Sequence, residues 1–147
     1  MWDQVSTAVL NILKANAFLQ NVYNFEAAEF DADPVATLMP STNENDYATT
    51  TENRRTYGFN LRIYKTRLTG ESAEATTEAA MRELVDSVLD DLDKNHRLSA
   101  LEQKTGYTFL YLEAAPSQWG YSGRENVYRV AEIIVKVHFA VDVNLIN

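Results

Sequence analysis

Apolar side chains follow two rhythms along this chain, and the alternation between them predicts the elements. Trp2, Val5, Val9, Ile12 and Leu13 recur at intervals of three and four residues, which puts them on one face of a helix over 2–20. Asp33-Pro34 reads as a turn ahead of a short strand over 34–39, closed by Pro40. Residues 41–53 then run almost wholly polar, with Tyr47 and Ala48 the exceptions, and are expected to form a long loop, mobile in the free subunit and ordered on assembly. Over 54–68 the period becomes two: Tyr57, Phe59, Leu61 and Ile63 share one face, and Thr56, Gly58, Asn60, Arg62 and Tyr64 share the other. The helical period returns over 72–94, with Met81, Leu84, Val85, Val88, Leu89 and Leu92 as its buried stripe and Ser72 as N-cap. Strands over 107–115 and 126–143 follow, joined by the loop "PSQWGYSGRE" as a long hairpin.

This order predicts a single α+β domain over 1–147: an antiparallel or mixed sheet of four to five strands, two helices on one of its faces, and a long protruding hairpin. The protrusion follows from length. A domain of this size has a diameter of about 38 Å, whereas continuous strands over 54–68 and 126–143 would span roughly 50 and 59 Å. Such strands bend, carry bulges or project, and a projecting hairpin exposes edges that proteins cover with a partner. Self-association is thus the first functional expectation.

Composition narrows the classes. The 46% hydrophobic content supplies a core, and five glycines and three prolines leave little linker. The absence of cysteine removes thiolate chemistry and Cys-ligated zinc. A formal charge of -8 disfavours binding to phosphate backbones, yet suits a protein that DNA slides past without sticking. "MWDQVSTAVLNILKANAFLQ" has no basic n-region, and the most apolar stretch, "VAEIIVKVHFAVDV", is broken by Glu132, Lys136, His138 and Asp142. A soluble protein made in a cytoplasm, with no membrane contact, is expected.

Charge is also segregated. Residues 53–70 carry Arg54, Arg55, Arg62, Lys65 and Arg67 and no acid, while 71–93 carry eight acids, among them Asp86 and Asp90, against Arg82 alone. These segments pair within the fold, or head to tail between subunits, or stay solvated. Asp86, Asp90 and Asp93 share a helical face near His96, but charges opposite an apolar stripe are what an exposed helix shows, and no metal or cofactor is assigned. His138 shares a strand face with Glu132 and Asp142 without a Ser or Cys nucleophile beside it. Trp119 and Tyr121 either fold back onto the core or stand exposed as interface anchors at the hairpin tip. Should the tip make no contact, Tyr47 and the Arg54-Arg55 pair are the next interface candidates.

The stretch "VYNFEAAEFDADPVATLMPSTNENDYATTTENRRTYGFNLRIY", the acidic amphipathic helix after it, and "GYTFLYLEAAPSQWGY" with "YRVAEIIVKVHFAVDV" together resemble small structural proteins of tailed bacteriophages. Over about 22–143 the chain is similar to the tail terminator (tail completion) proteins of long-tailed phages. Head-tail connector proteins of similar size are the rivals. The resemblance implies a non-enzymatic virion protein at the head-tail junction. Its fold would be α+β, and its hexameric ring would cap the tail tube, stop tube polymerisation and present a surface to the head connector. Its partners would be itself, the tail tube protein and the connector, with DNA passing the channel unbound. That family has no catalytic motif, so no site residue is carried over.

Overall fold

The structure, a computed structural model, describes residues 1–98, 101, 104–124 and 127–146. Its elements are α1 (Trp2–Lys14), β1 (Asn21–Tyr23), β2 (Val35–Tyr47), β3 (Glu52–Thr66), α2 (Glu71–Lys94), β4 (Tyr107–Ser122) and β5 (Tyr128–Asp142). The strands form one five-stranded sheet in the order β1-β2-β3-β5-β4, antiparallel except for the parallel pair β1 and β2. The fold is therefore α+β with a mixed sheet and two helices.

The sheet has two unlike faces. Tyr57, Phe59, Leu61 and Ile63 of β3 and Ala131, Ile133, Val135, Val137, Phe139 and Val141 of β5 are buried in a single core. Val5, Val9 and Leu13 of α1 and Met81, Leu84, Val85, Val88 and Leu92 of α2 join that same core. Both helices thus cover the face carrying the odd-numbered residues of β3 and β5, where the period of two had placed the apolar side chains. The opposite face carries Arg62, Glu132, Ile134, Lys136 and His138, and among the described residues no helix lies over it.

Several boundaries differ from those the sequence predicts. The first helix ends at Lys14. The side-chain carbonyl of Asn16 accepts the backbone N–H of Phe18 and Leu19, and its amide donates to Asp91 (2.7 Å) and Ser87 (3.1 Å), so the chain turns there to tie α1 to α2. Ser72 does not cap α2, which begins at Glu71 after Gly70, whose φ of 103° suits a residue without Cβ. The expected start of the last strand, Asn126, lies outside the described residues, and β1 was not anticipated.

The polar segment expected as a loop over 41–53 is mostly strand. Residues 41–47 continue β2, residues 48–51 turn, and Glu52 begins β3. Asn, Asp and Glu are poor strand formers, and their side chains supply the fastening: Asn45 Oδ1 accepts from Asn53 Nδ2 (2.9 Å) and Arg55 Nε (3.0 Å). Thr49 Oγ1 accepts the backbone N–H of Thr51 and Glu52, which closes the turn.

The loop expected over 116–125 likewise belongs mostly to β4, which pairs with β5 as far as Ser122. Every residue of β5 from Tyr128 to Asp142 pairs with β3, and almost all of that length also pairs with β4. Neither hairpin stands clear of the sheet, so the predicted protrusion is corrected. The long strands are accommodated by bulges instead, between Pro40 and Asn43 in β2 and at two places in β4, between Phe109 and Tyr111 and between Pro116 and Gln118.

Candidate functional site

The eight residues the sequence singles out as contacts fall in four places. Tyr47 and Arg54 stand exposed at the β2–β3 turn end, on opposite faces. Arg55 points to the helix side, where its Nη1 donates to the Tyr107 hydroxyl (2.6 Å) and its guanidinium lies over that ring. Arg62 lies on the helix-free face and donates to Glu132 (3.0 Å), a bond that raises the guanidinium's pKa. Asp86 and Asp90 face solvent from α2, and no ion pair to either is found among the described residues.

Trp119 and Tyr121 lie on the helix side of β4 near its end, opposite Ala131 and Arg129. Of the two alternatives drawn from the sequence, the core position is not adopted, and both side chains stand exposed, at 41% and 52%. They do not sit on a projecting tip. Arg129 lies over both rings, 5.4 Å from Trp119 and 4.8 Å from Tyr121, and Arg67 lies 4.9 Å from Tyr121 on the same side chain.

Arg129 is the hub of this end of the molecule. Its Nε and Nη2 donate to the two carboxylate oxygens of Glu78 on α2 (2.8 and 3.0 Å), and its Nη1 donates to the Gly120 carbonyl (2.9 Å). Those bonds hold the Glu78 carboxyl below the usual range. With Arg67–Glu74 (2.8 Å), the segregated charges thus pair partly within the fold. Between these pairs and Tyr121 lies an open hollow of ≈ 270 Å³. A second, on the helix-free side of the same stretch of β4, is lined by Arg62, Tyr64, Gln118, Gly120, Val130 and Glu132.

His138 does not meet Glu132 and Asp142, although all three share a face. Glu132 is taken by Arg62 and Ser117, and the Asp142 carboxylate accepts the Asn144 N–H. His138 instead lies between Thr56 (2.8 Å from Nδ1) and Glu113 (3.0 Å from Nε2), with the Tyr111 ring stacked at 4.3 Å. Glu113 accepts from Nε2, and the Thr56 hydroxyl and Nδ1 share the second hydrogen bond of the ring. Hydroxyl, imidazole and carboxylate are in the order nucleophilic hydrolases use. Here, however, Thr56 is 8% exposed and the three side chains form a cross-strand ladder on an open sheet, so the hydroxyl is shielded from a reacting carbon. The set binds β3, β5 and β4 together. A search for Ser or Cys missed it because its hydroxyl is a threonine's and its members lie 25 and 82 residues from His138.

The segment between β1 and β2 folds over the helix-free face at the sheet end opposite Tyr47. Phe30 packs on Tyr64 (4.8 Å), Tyr128 (5.3 Å) and Tyr23 (5.8 Å). The Tyr23 hydroxyl donates to Asp31 and lowers the pKa of its carboxyl, and Asp33 accepts the Thr66 N–H (2.9 Å). Asp31 and Asp33 are thus turn and strand-end fastenings.

Among the described residues, two lengths of strand edge have no strand beside them. β1 pairs with β2 only over residues 35–37, leaving the outer edge of residues 38–47 without a strand beside it, and β4 has β5 on one side only. Among the described residues, no group of three or more His, Asp or Glu is placed to hold a metal ion, and no helix is long and apolar enough to cross a membrane.

No family model matches the chain, and no curated protein is found to be similar to it.

Proposed function

We propose that this chain is a structural protein of a phage virion that assembles into a ring, in the manner of tail terminators, and performs no chemistry of its own. The observation carrying this reading is the surplus of unpartnered sheet. Among the described residues, a mixed sheet whose four long strands run 13 to 16 residues has helices on one face only and lacks a neighbouring strand along most of both outer edges. Exposed backbone donors and acceptors invite strand addition, and bulges alone blunt them incompletely. The resemblance across 22–143 supplies the partners: tail tube below, connector above. A charge of -8 supplies a channel wall to which DNA does not adhere.

The test is electron microscopy and solution mass of the purified protein, alone and mixed with tail tube. Rings that cap tube ends are expected. A monomer at every concentration that binds no tube overturns the reading, and binding to portal-side components in place of tube transfers the protein to the connector class.

A further inference from the structure

We propose that copies of this chain join head to tail by antiparallel pairing of the free outer edge of β2, residues 38–47, with residues 107–115 of β4 in the next copy. The proposal rests on the ring reading only in taking a second copy as the occupant.

The two free edges match in level. Through the registers of the sheet, Tyr47 aligns with Asn53, Val141 and Tyr107; Glu44 aligns with Thr56, His138 and Tyr111; and Pro40 aligns with Phe59, Val135 and Ala114. Residues 38–47 on one side of the sheet thus lie at the height of 107–115 on the other. The part of β2 that β1 covers, 35–37, lies at the height of Gln118 to Gly120. Pro116, which lacks an N–H, falls at the level of Leu38, and the bulge after it marks the border between the two lengths. The length of β2 that β1 leaves open thus ends where the ladder of β4 is interrupted.

Strand direction matches too. β2 and β5 run one way, β3 and β4 the other. A rotation about an axis along the strands preserves these directions and keeps the helices on one side, so β2 of the second copy meets β4 antiparallel. That contact is heterologous, and repeating it closes a ring when the rotation divides a full turn.

The charges along the seam are few. Residues 38–47 hold Glu44, 3.7 Å from Lys136 of its own chain, and Asp46; residues 107–115 hold Glu113, and Lys104 just before them sits 4.9 Å over the Tyr107 ring at the level of Tyr47. Leu110, Tyr111 and Tyr47 are 41, 48 and 63% exposed along this seam. "NENDY" would also gain, from a second neighbour, the backbone ladder that β3 gives it on one side only.

The chain has no cysteine, so disulfide trapping on the full-length protein is unambiguous. Glu44→Cys is combined, in three variants, with Thr108→Cys, Tyr111→Cys or Glu113→Cys, which spans the one-residue shift the bulge at Leu110 introduces. Within one chain positions 44 and 111 lie three strand spacings apart, about 14 Å, beyond the roughly 7 Å a disulfide bridges. Any disulfide between them therefore joins two copies. Mild oxidation is expected to give a ladder of multiples of 16.7 kDa ending at the ring's copy number, whereas single-cysteine variants stop at dimers; thermal melts confirm folding. Folded oligomers in which none of the three variants links overturn the edge pairing and leave the ring reading standing. A monomer at all concentrations overturns both. A ladder from a protein that ignores tail tube supports the pairing and overturns the tail assignment.

Discussion

Replacing Glu78 by Gln keeps the shape of the α2 surface and removes the charge that Arg129 faces. The Arg129 side chain is 13% exposed and that of Glu78 28%, and the pair shares two parallel hydrogen bonds. Hydrogen bonds to charged groups contribute about 1.5–3 kcal/mol, and partial exposure on the Glu78 side screens the pair toward the lower part of that range. Glu78→Gln should therefore cost about 2 kcal/mol, or roughly 4–8 °C in melting temperature for a domain of this size. Arg82, 69% exposed and 3.8 Å from the same carboxylate, should cost under about 0.5 kcal/mol when changed to Gln. The acid dependence has a definite sign. Arg129 lowers the folded-state pKa of Glu78, so the stabilisation is present above the ordinary carboxylate value of about 4.3 and is lost as pH falls through the lower folded value. Urea titrations of wild type and Glu78→Gln at pH 7 should differ, and the difference should shrink to nothing as the buffer is acidified past that value. A difference at pH 7 no larger than that of Arg82→Gln, or one unchanged in acid, would refute the assignment of Arg129 as a charged hub.

Trp119→Ala should lower stability by only about 1 kcal/mol, the worth of an exposed cation–π contact with Arg129, and not the 3–5 kcal/mol of a core tryptophan; thermal melts decide. Gly58→Val should cost about 1–3 kcal/mol, since a Cβ at that position would overlap the Thr42 hydroxyl, and Thr42→Gly in the same chain should recover part of the loss in urea titration. Amides of residues 43–47 should exchange faster than those of β5 in the free subunit and slow on assembly; equal protection in both states would count against the seam.

How far the sequence shows this molecule depends on where each element's stabilisation comes from. β3 and α2 are legible because their apolar side chains record their own burial: Phe59 and Leu61 alternate, and Met81, Leu84, Val85 and Val88 fall on one stripe. Residues 41–47 record nothing of the kind. Their extended shape is imposed by β3 through Asn45, Asn53 and Arg55, a long-range effect that overrides local preference. The end of β4 is hidden in the same way, since Pro116 and Gly120 read as loop until Arg129 reaches across to the Gly120 carbonyl. Glu78 and Arg129 lie 51 residues apart, and no spacing within either segment marks them as partners. Among the contact candidates, the sequence located Trp119 and Tyr121 but not the cation lying over them.

The ladder between β3 and β5 sets how this chain folds. Its partners are 62 residues apart at Thr66 and Tyr128 and 90 apart at Glu52 and Asp142, with the whole of α2 between. The β2–β3 and β4–β5 hairpins close locally and form within microseconds, whereas joining them requires closing a loop that contains a helix. Folding should then be limited by the docking of two halves, one ending near Gly70 and the other beginning with α2. The same division makes the linker at 67–70 the natural place to cut the chain: two separately made fragments, each carrying one hairpin, have a fifteen-residue ladder and a shared core with which to find each other.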